Sequence, residues 1–119
     1  EGDGAAVKAL GNAARHASGL TVEKRDLFRE PLSVKELQKF DVVVLDPPRV
    51  GASSQAVQIA KSGVKTIIAV SCNPATLARD GATLIEGGYR AISAQLIDQF
   101  SWSAHSEMVV VFNKGDCPR

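Results

Sequence analysis

The sequence predicts an open α/β sheet of mostly parallel strands, of the doubly wound kind, and three observations carry that expectation. Two short apolar runs rich in β-branched residues, Phe40 to Leu45 and Val64 to Val70, have the character of strands buried on both faces. Segments with helical spacing and capping signals lie between such runs. Strands interleaved with helices bury their faces best when the strands run parallel and the helices cover the sheet. The 119 residues suffice for one small domain, and no repeat, linker or low-complexity stretch divides them.

In chain order, residues 3–18 are expected to be helical, because Val7, Leu10 and Ala14 recur three and four residues apart. Asp3 suits the start of that helix and Gly19 its stop. Leu20 to Arg25 alternates apolar and polar side chains, as an edge or exposed strand does. Ser33 and Glu36 have capping-box spacing, which predicts a short helix to about Lys39. After the strand at Phe40–Leu45, Ser53 or Ser54 is expected to cap a helix that ends near Gly63. Asn73-Pro74, a cap followed by proline at the first helical position, opens another helix, and Gly87-Gly88 stops it. Ala91 to Ile97 alternates, Glu107 to Phe112 is apolar again, and the tail from Asn113 to Arg119 is expected to fray.

Composition narrows the function classes. An apolar fraction of 45%, a charged fraction of 23% and a net charge of +1 exclude collagen-like, coiled-coil and wholly disordered chains. Runs such as Val42 to Leu45 are too short to cross a bilayer, and the opening Glu1-Gly2-Asp3 does not resemble a signal peptide. Cys72 and Cys117 cannot build a disulfide framework, so a reducing, cytoplasmic setting without membrane contact is expected. Fourteen Lys and Arg against 13 Asp and Glu imply no large basic surface. A nucleic-acid substrate would therefore draw most of its phosphate contacts from elsewhere.

Open α/β sheets bind ligands beyond the carboxyl ends of their strands, and two such ends carry unusual residues. Leu45-Asp46-Pro47-Pro48-Arg49 leaves its strand stiffly, because two prolines fix the backbone and remove two N–H donors. Asp46 would then face the crevice; a ligand-binding role and a rigid turn with a solvated carboxylate are about equally favoured by the motif alone. At the second end, Val70-Ser71-Cys72-Asn73-Pro74, Cys72 directly precedes a helix cap. The positive end of a helix favours a thiolate, whereas a lone cysteine is more commonly a small buried hydrophobe. His105 and Glu107 share one strand face before the last apolar run, and two such residues without a third are weak evidence for a metal. If the last strand runs antiparallel, its beginning lies at the sheet edge where Asp46 and Cys72 lie, and a nucleophile and two acids converge.

Taken together, these residues resemble the RNA uracil-5-methyltransferase family, which uses S-adenosylmethionine. Asp46-Pro47-Pro48-Arg49-Val50-Gly51 resembles its Asp-Pro-Pro-Arg motif, and Ser71-Cys72-Asn73-Pro74-Ala75-Thr76-Leu77-Ala78-Arg79-Asp80 its nucleophile motif. Asp98-Gln99-Phe100 followed by His105-Ser106-Glu107 resembles its general-base motif. Ser101-Trp102 stands where many members have Pro-His, and Ser106 where an apolar residue is usual. The resemblance implies a Rossmann-like methyltransferase sheet with an antiparallel last strand. It also implies Cys72 as nucleophile on C6 of a uracil and Glu107 as the base that removes the C5 proton. Asp46 would touch cofactor or base, Glu1 would hold the cofactor ribose, and Asp26 would lie near the adenine. The implied substrate is RNA, whose target base must leave its stack, and the run from Ala75 to Asp80 looks more like the ribosomal than the transfer-RNA enzymes.

The family's glycine-rich cofactor loop and the strand before it are expected upstream of Glu1. So are its RNA-binding domain and, in some members, cluster-binding cysteines. Residues 1–113 are thus expected to be the carboxyl-terminal part of a catalytic domain truncated at its amino end, with 114–119 a tail. Such a piece would leave the Phe40–Leu45 edge open, favouring either a larger parent polypeptide or self-association, with weak cofactor binding by the piece alone. Two other readings stand beside this one. An amino-methyltransferase acting on adenine or cytosine would have an aromatic residue in place of Arg49 and no need of Cys72. A non-catalytic module could retain the fold alone.

Overall fold

The computed structural model describes residues 21–97 and 107–115. The helix expected over residues 3–18, Glu1 and His105 lie outside them. The described elements are α1 (Val34–Leu37), β1 (Val42–Leu45), α2 (Ser53–Lys61), β2 (Thr66–Ser71), α3 (Pro74–Glu86), β3 (Arg90–Ile97) and β4 (Glu107–Asn113). They form one four-stranded sheet in the order β1-β2-β4-β3. β1 and β2 are parallel, while β4 inserts antiparallel between β2 and β3, as expected of the last strand. The described sheet is therefore mixed, with one parallel and two antiparallel pairings.

Register explains which side chains are inside. The pairs Val43–Ile67, Leu45–Ala69, Ile67–Phe112 and Ala69–Val110 align one layer of apolar side chains. This layer joins Leu37, Ala56, Ile59 and Leu84 in the buried core. The opposite layer holds Val42 and Val44, which are 48% and 62% exposed. Among the described residues the Phe40–Leu45 run is thus not buried on both faces: β1 begins at Val42 and pairs with β2 on one side. Among the described residues, β1 has no strand on its other side.

Three other expectations change. Residues 21–26 form no strand. Instead the Arg25 guanidinium gathers the segment, donating to the carbonyls of Glu30 (2.7 Å) and Pro31 (3.1 Å) and to both Glu36 carboxylate oxygens. The Arg25 hydrogen bond, helped by the Ser33 amide, holds the Glu36 carboxyl down at about 2. The capping box itself forms as its spacing predicts. Neither Ser53 nor Ser54 caps α2; its cap is Ala52, which makes no side-chain hydrogen bond. Finally, the tail does not fray at its start, since Asn113 closes β4. Lys114 Nζ donates to the carbonyls of Ala60 (3.1 Å) and Ser62 (2.8 Å), orphan acceptors at the end of α2, and lies 4.9 Å from the Tyr89 ring centre.

Tyr89 ties the same corner from inside. It is 1% exposed, and its hydroxyl donates to the Val64 carbonyl and lies within 3.5 Å of Ser62 Oγ. Burial pushes the phenol up from its ordinary value, which keeps it a donor.

Candidate active site

β2 ends at Ser71, and the chain turns there before α3. The buried Ser71 hydroxyl clamps the turn on both sides of Cys72: it accepts from the Asn73 amide (3.0 Å) and donates to the Asn73 carbonyl (3.0 Å). Asn73 then caps α3 by accepting from the Ala75 amide at 3.1 Å. Cys72, held between two fixed residues at the amino end of α3, is exposed and reduced. This is not the buried apolar cysteine that the blander expectation described.

The sheet brings the other candidates to this end. Ser71 pairs with Met108 and Ile97 with Glu107, so Glu107 opens β4 one residue before the partner of Ser71. It therefore lies level with Cys72, and it is half-buried. Leu45 pairs with Ala69, which puts Asp46 at the same end of the adjacent strand. Continuing the strand alternation one residue past β1 and β2 assigns Asp46 and Cys72 to the layer of Val44 and Val70, the layer that also holds Glu107. Asp46 is exposed. An apolar groove of about 290 Å³ lies on the other face, between α3 and β4, lined by Pro74, Leu77, Ile85, Met108 and Val110. The candidate residues do not line it.

Asp26 stands apart. Its carboxylate accepts from the Phe28 amide at 3.0 Å and approaches Arg29 Nε at 3.9 Å. Among the described residues, no hydrogen bond links it to Asp46, Cys72 or Glu107. Nor do the described residues contain a cluster of three His, Cys, Asp or Glu placed to hold a metal ion.

Residues that the sequence did not single out by role bind the Asp46 loop to α3. The Arg49 carbonyl accepts from Asn73 Nδ2 (3.0 Å) and Thr76 Oγ1 (3.2 Å), and the Val50 carbonyl accepts from Arg79 Nη2 at 3.0 Å. Ala52 donates its amide to Asp80 Oδ2 at 2.7 Å, and Asp80 Oδ1 accepts from Arg79 Nε and Nη2. Ser71 was recoverable from its Ser-x-Asn spacing, which favours a side-chain turn. The bond from Asp80 to Ala52 spans 28 residues of chain and carries no local signal.

A chemically coherent set thus occupies one sheet edge: a fixed, exposed thiol, a carboxylate in register with it, and a second carboxylate on a proline-stiffened loop. Known proteins are similar to this chain in sequence. An uncharacterized RNA methyltransferase of Brucella melitensis is 54% identical over 97% of this chain and 28% of its own length. A 23S rRNA (uracil(1939)-C(5))-methyltransferase of Vibrio vulnificus is 46% identical over 65% of this chain and 18% of its own. The crystal structure of a Pyrococcus abyssi tRNA (uracil-54, C5)-methyltransferase in complex with S-adenosyl-L-homocysteine superposes with a TM-score of 0.75, at 27% identity, over 94% of this chain and 27% of that one. The chain spans under a third of the length of the curated relatives it matches. The sequence model of the tRNA (Uracil-5-)-methyltransferases matches residues 9–115, and the chain belongs to that family.

Proposed function

We propose that this chain carries the nucleophile and base of an enzyme that methylates C5 of a uridine in RNA. The observation that supports the reading best is the exposed Cys72, immobilised by Ser71 and Asn73 and level with Glu107 on the neighbouring strand. Addition of the Cys72 thiolate to C6 of the uracil moves electron density to C5, which makes a poor nucleophile competent. S-Adenosylmethionine, when bound, supplies the electrophilic methyl group. Glu107 then takes the proton from C5, and the electron pair of that bond expels Cys72 and restores the ring. The residues present suit such a ligand: Asp46 offers an exposed carboxylate on a stiff loop beside the thiol, while Glu1 and Asp26 stay assigned to ribose and adenine by resemblance only. Ribosomal RNA is the favoured substrate, a preference supported by the 23S rRNA relative from Vibrio vulnificus. Arg49 and Cys72 speak against amino-methylation of adenine or cytosine.

The test is Cys72→Ala in the full-length protein, assayed with both ribosomal and transfer RNA and with 5-fluorouridine RNA. Methylation and the covalent adduct should both vanish. A variant that retains near-normal turnover removes Cys72 from the mechanism, and equal wild-type rates on both RNAs remove the ribosomal preference.

A further inference from the structure

We infer that Arg79 and Asp80 are a positioning pair that sets where Asp46 stands relative to Cys72; the inference rests on the reading of those two residues given above. The ladder between β1 and β2 ends at the pair Leu45–Ala69, so it does not hold residues 46–52. The loop cannot anchor itself through amide donors at its start, because Pro47 and Pro48 have none. The Gly51 amide is consumed in a turn to the Pro48 carbonyl at 2.8 Å. Beyond that turn, the carbonyls of Arg49 and Val50 take donors and the amide of Ala52 takes an acceptor.

α3 supplies all of them from one side. Asn73, Thr76 and Asp80 recur at three and four residues, which aligns them on one helix face, and Arg79 reaches in beside them. Asp80 is the centre of this arrangement. It is 7% exposed, and its two oxygens hold different partners: Oδ2 holds the Ala52 amide, while Oδ1 holds the guanidinium that in turn holds the Val50 carbonyl. A carboxylate this buried needs charged and hydrogen-bonding partners, and Arg79 together with Ala52 provides them.

The same helix begins one residue after Cys72. Asn73 caps α3 and also donates to the Arg49 carbonyl, so the thiol and the Asp46 loop are referred to one rigid body. Every bond from α3 to the loop goes to backbone between Arg49 and Ala52, and none goes to the Asp46 carboxylate. Weakening the pair would let the loop drift while sheet and helices persist. A displacement of about 1 Å at a reacting centre can cost roughly 10²-fold in rate.

The experiment uses the full-length protein with Arg79→Gln, Arg79→Lys and Asp80→Asn. Turnover, KM for RNA, melting temperature, 5-fluorouridine adduct formation and hydrogen exchange over residues 49–52 are read on the same samples. Arg79→Gln and Asp80→Asn should lower kcat by about 10- to 100-fold, leave KM for RNA within about threefold, and raise exchange at Ala52. Arg79→Lys, which keeps a cationic donor, should recover part of the loss. Folded variants with wild-type kcat, a loss confined to KM, or unchanged exchange at Ala52 would each overturn the inference. Should Asp80→Asn fail to fold, the half-exposed Arg79 still carries the test, because Arg79→Gln removes the bond to the Val50 carbonyl and the ion pair to Asp80, and wild-type kcat there refutes the pair's role. Wild-type methylation without a Cys72-dependent adduct instead sinks the functional reading, and the exchange data then still decide whether the pair holds the loop.

Discussion

Gly51→Ala places a methyl group where the loop lies against α3. Gly51 has φ +86°, a conformation that costs an L-residue about 1–2 kcal/mol. An added Cβ would stand 2.5 Å from Arg79 Nη2, 2.8 Å from Asp80 Oδ2 and 3.0 Å from Thr76 Cβ. The guanidinium can swing aside, but only by leaving the Val50 carbonyl and Asp80; Asp80 cannot retreat without releasing Ala52. Loss of the bond from the half-exposed Arg79 to the Val50 carbonyl adds about 1 kcal/mol, for a total of roughly 2–3 kcal/mol. Restoring ordinary contact requires the loop or the pair to move by nearly 1 Å, which lowers turnover by about 10²-fold. Chemical denaturation of the full-length protein reads the first effect, and kcat measured well below the melting transition reads the second. Wild-type stability together with wild-type kcat would show that loop and helix are not in the close contact described.

Tyr89→Phe removes the donor to the buried Val64 carbonyl and should destabilise the fold by about 1–3 kcal/mol, so an unchanged melting temperature would contradict the role given to that hydroxyl. Glu107→Gln should leave thiol addition intact but block proton removal, so that a methylated covalent RNA adduct accumulates; failure to form any adduct while RNA and S-adenosylmethionine still bind would place Glu107 at an earlier step. Glu36 is held at about 2 against an ordinary value of 4.5. Because its folded-state pKa is depressed, its stabilising contribution is complete above about 4.5 and is lost as pH falls toward 2. Glu36→Gln should accordingly flatten the melting temperature across that acid window, and an identical slope in both proteins would refute the assignment.

Local chemistry was legible in the sequence wherever an element's fate depends on its own residues. The Ser33–Glu36 capping box, the Asn73-Pro74 start and the Gly87-Gly88 stop lie where their spacing predicts, because capping hydrogen bonds close within a few residues. The order of helices and strands, and the motifs around Asp46, Cys72 and Glu107, were likewise readable. Burial of β1 was not: an apolar run shows that a strand can be buried, whereas among the described residues only the face of Val43 and Leu45 packs on the core, and the face of Val42 and Val44 stays exposed. The alternation of residues 20–25 had the same weakness, since a strand exists only if a neighbour completes its ladder, and over the described part of that segment Arg25 makes other bonds. The sequence alone therefore determined most element types and the caps of α1 and α3, and it marked the residues proposed to do the chemistry. The direction of the last strand came from the family resemblance and not from its residue pattern. Tertiary structure decided the register of β4 beside β2, which sets Glu107 level with Cys72, and that Asp80 holds Ala52 across the loop. Both depend on contacts between residues far apart in the chain, and such contacts leave no periodicity in the sequence from which to read them.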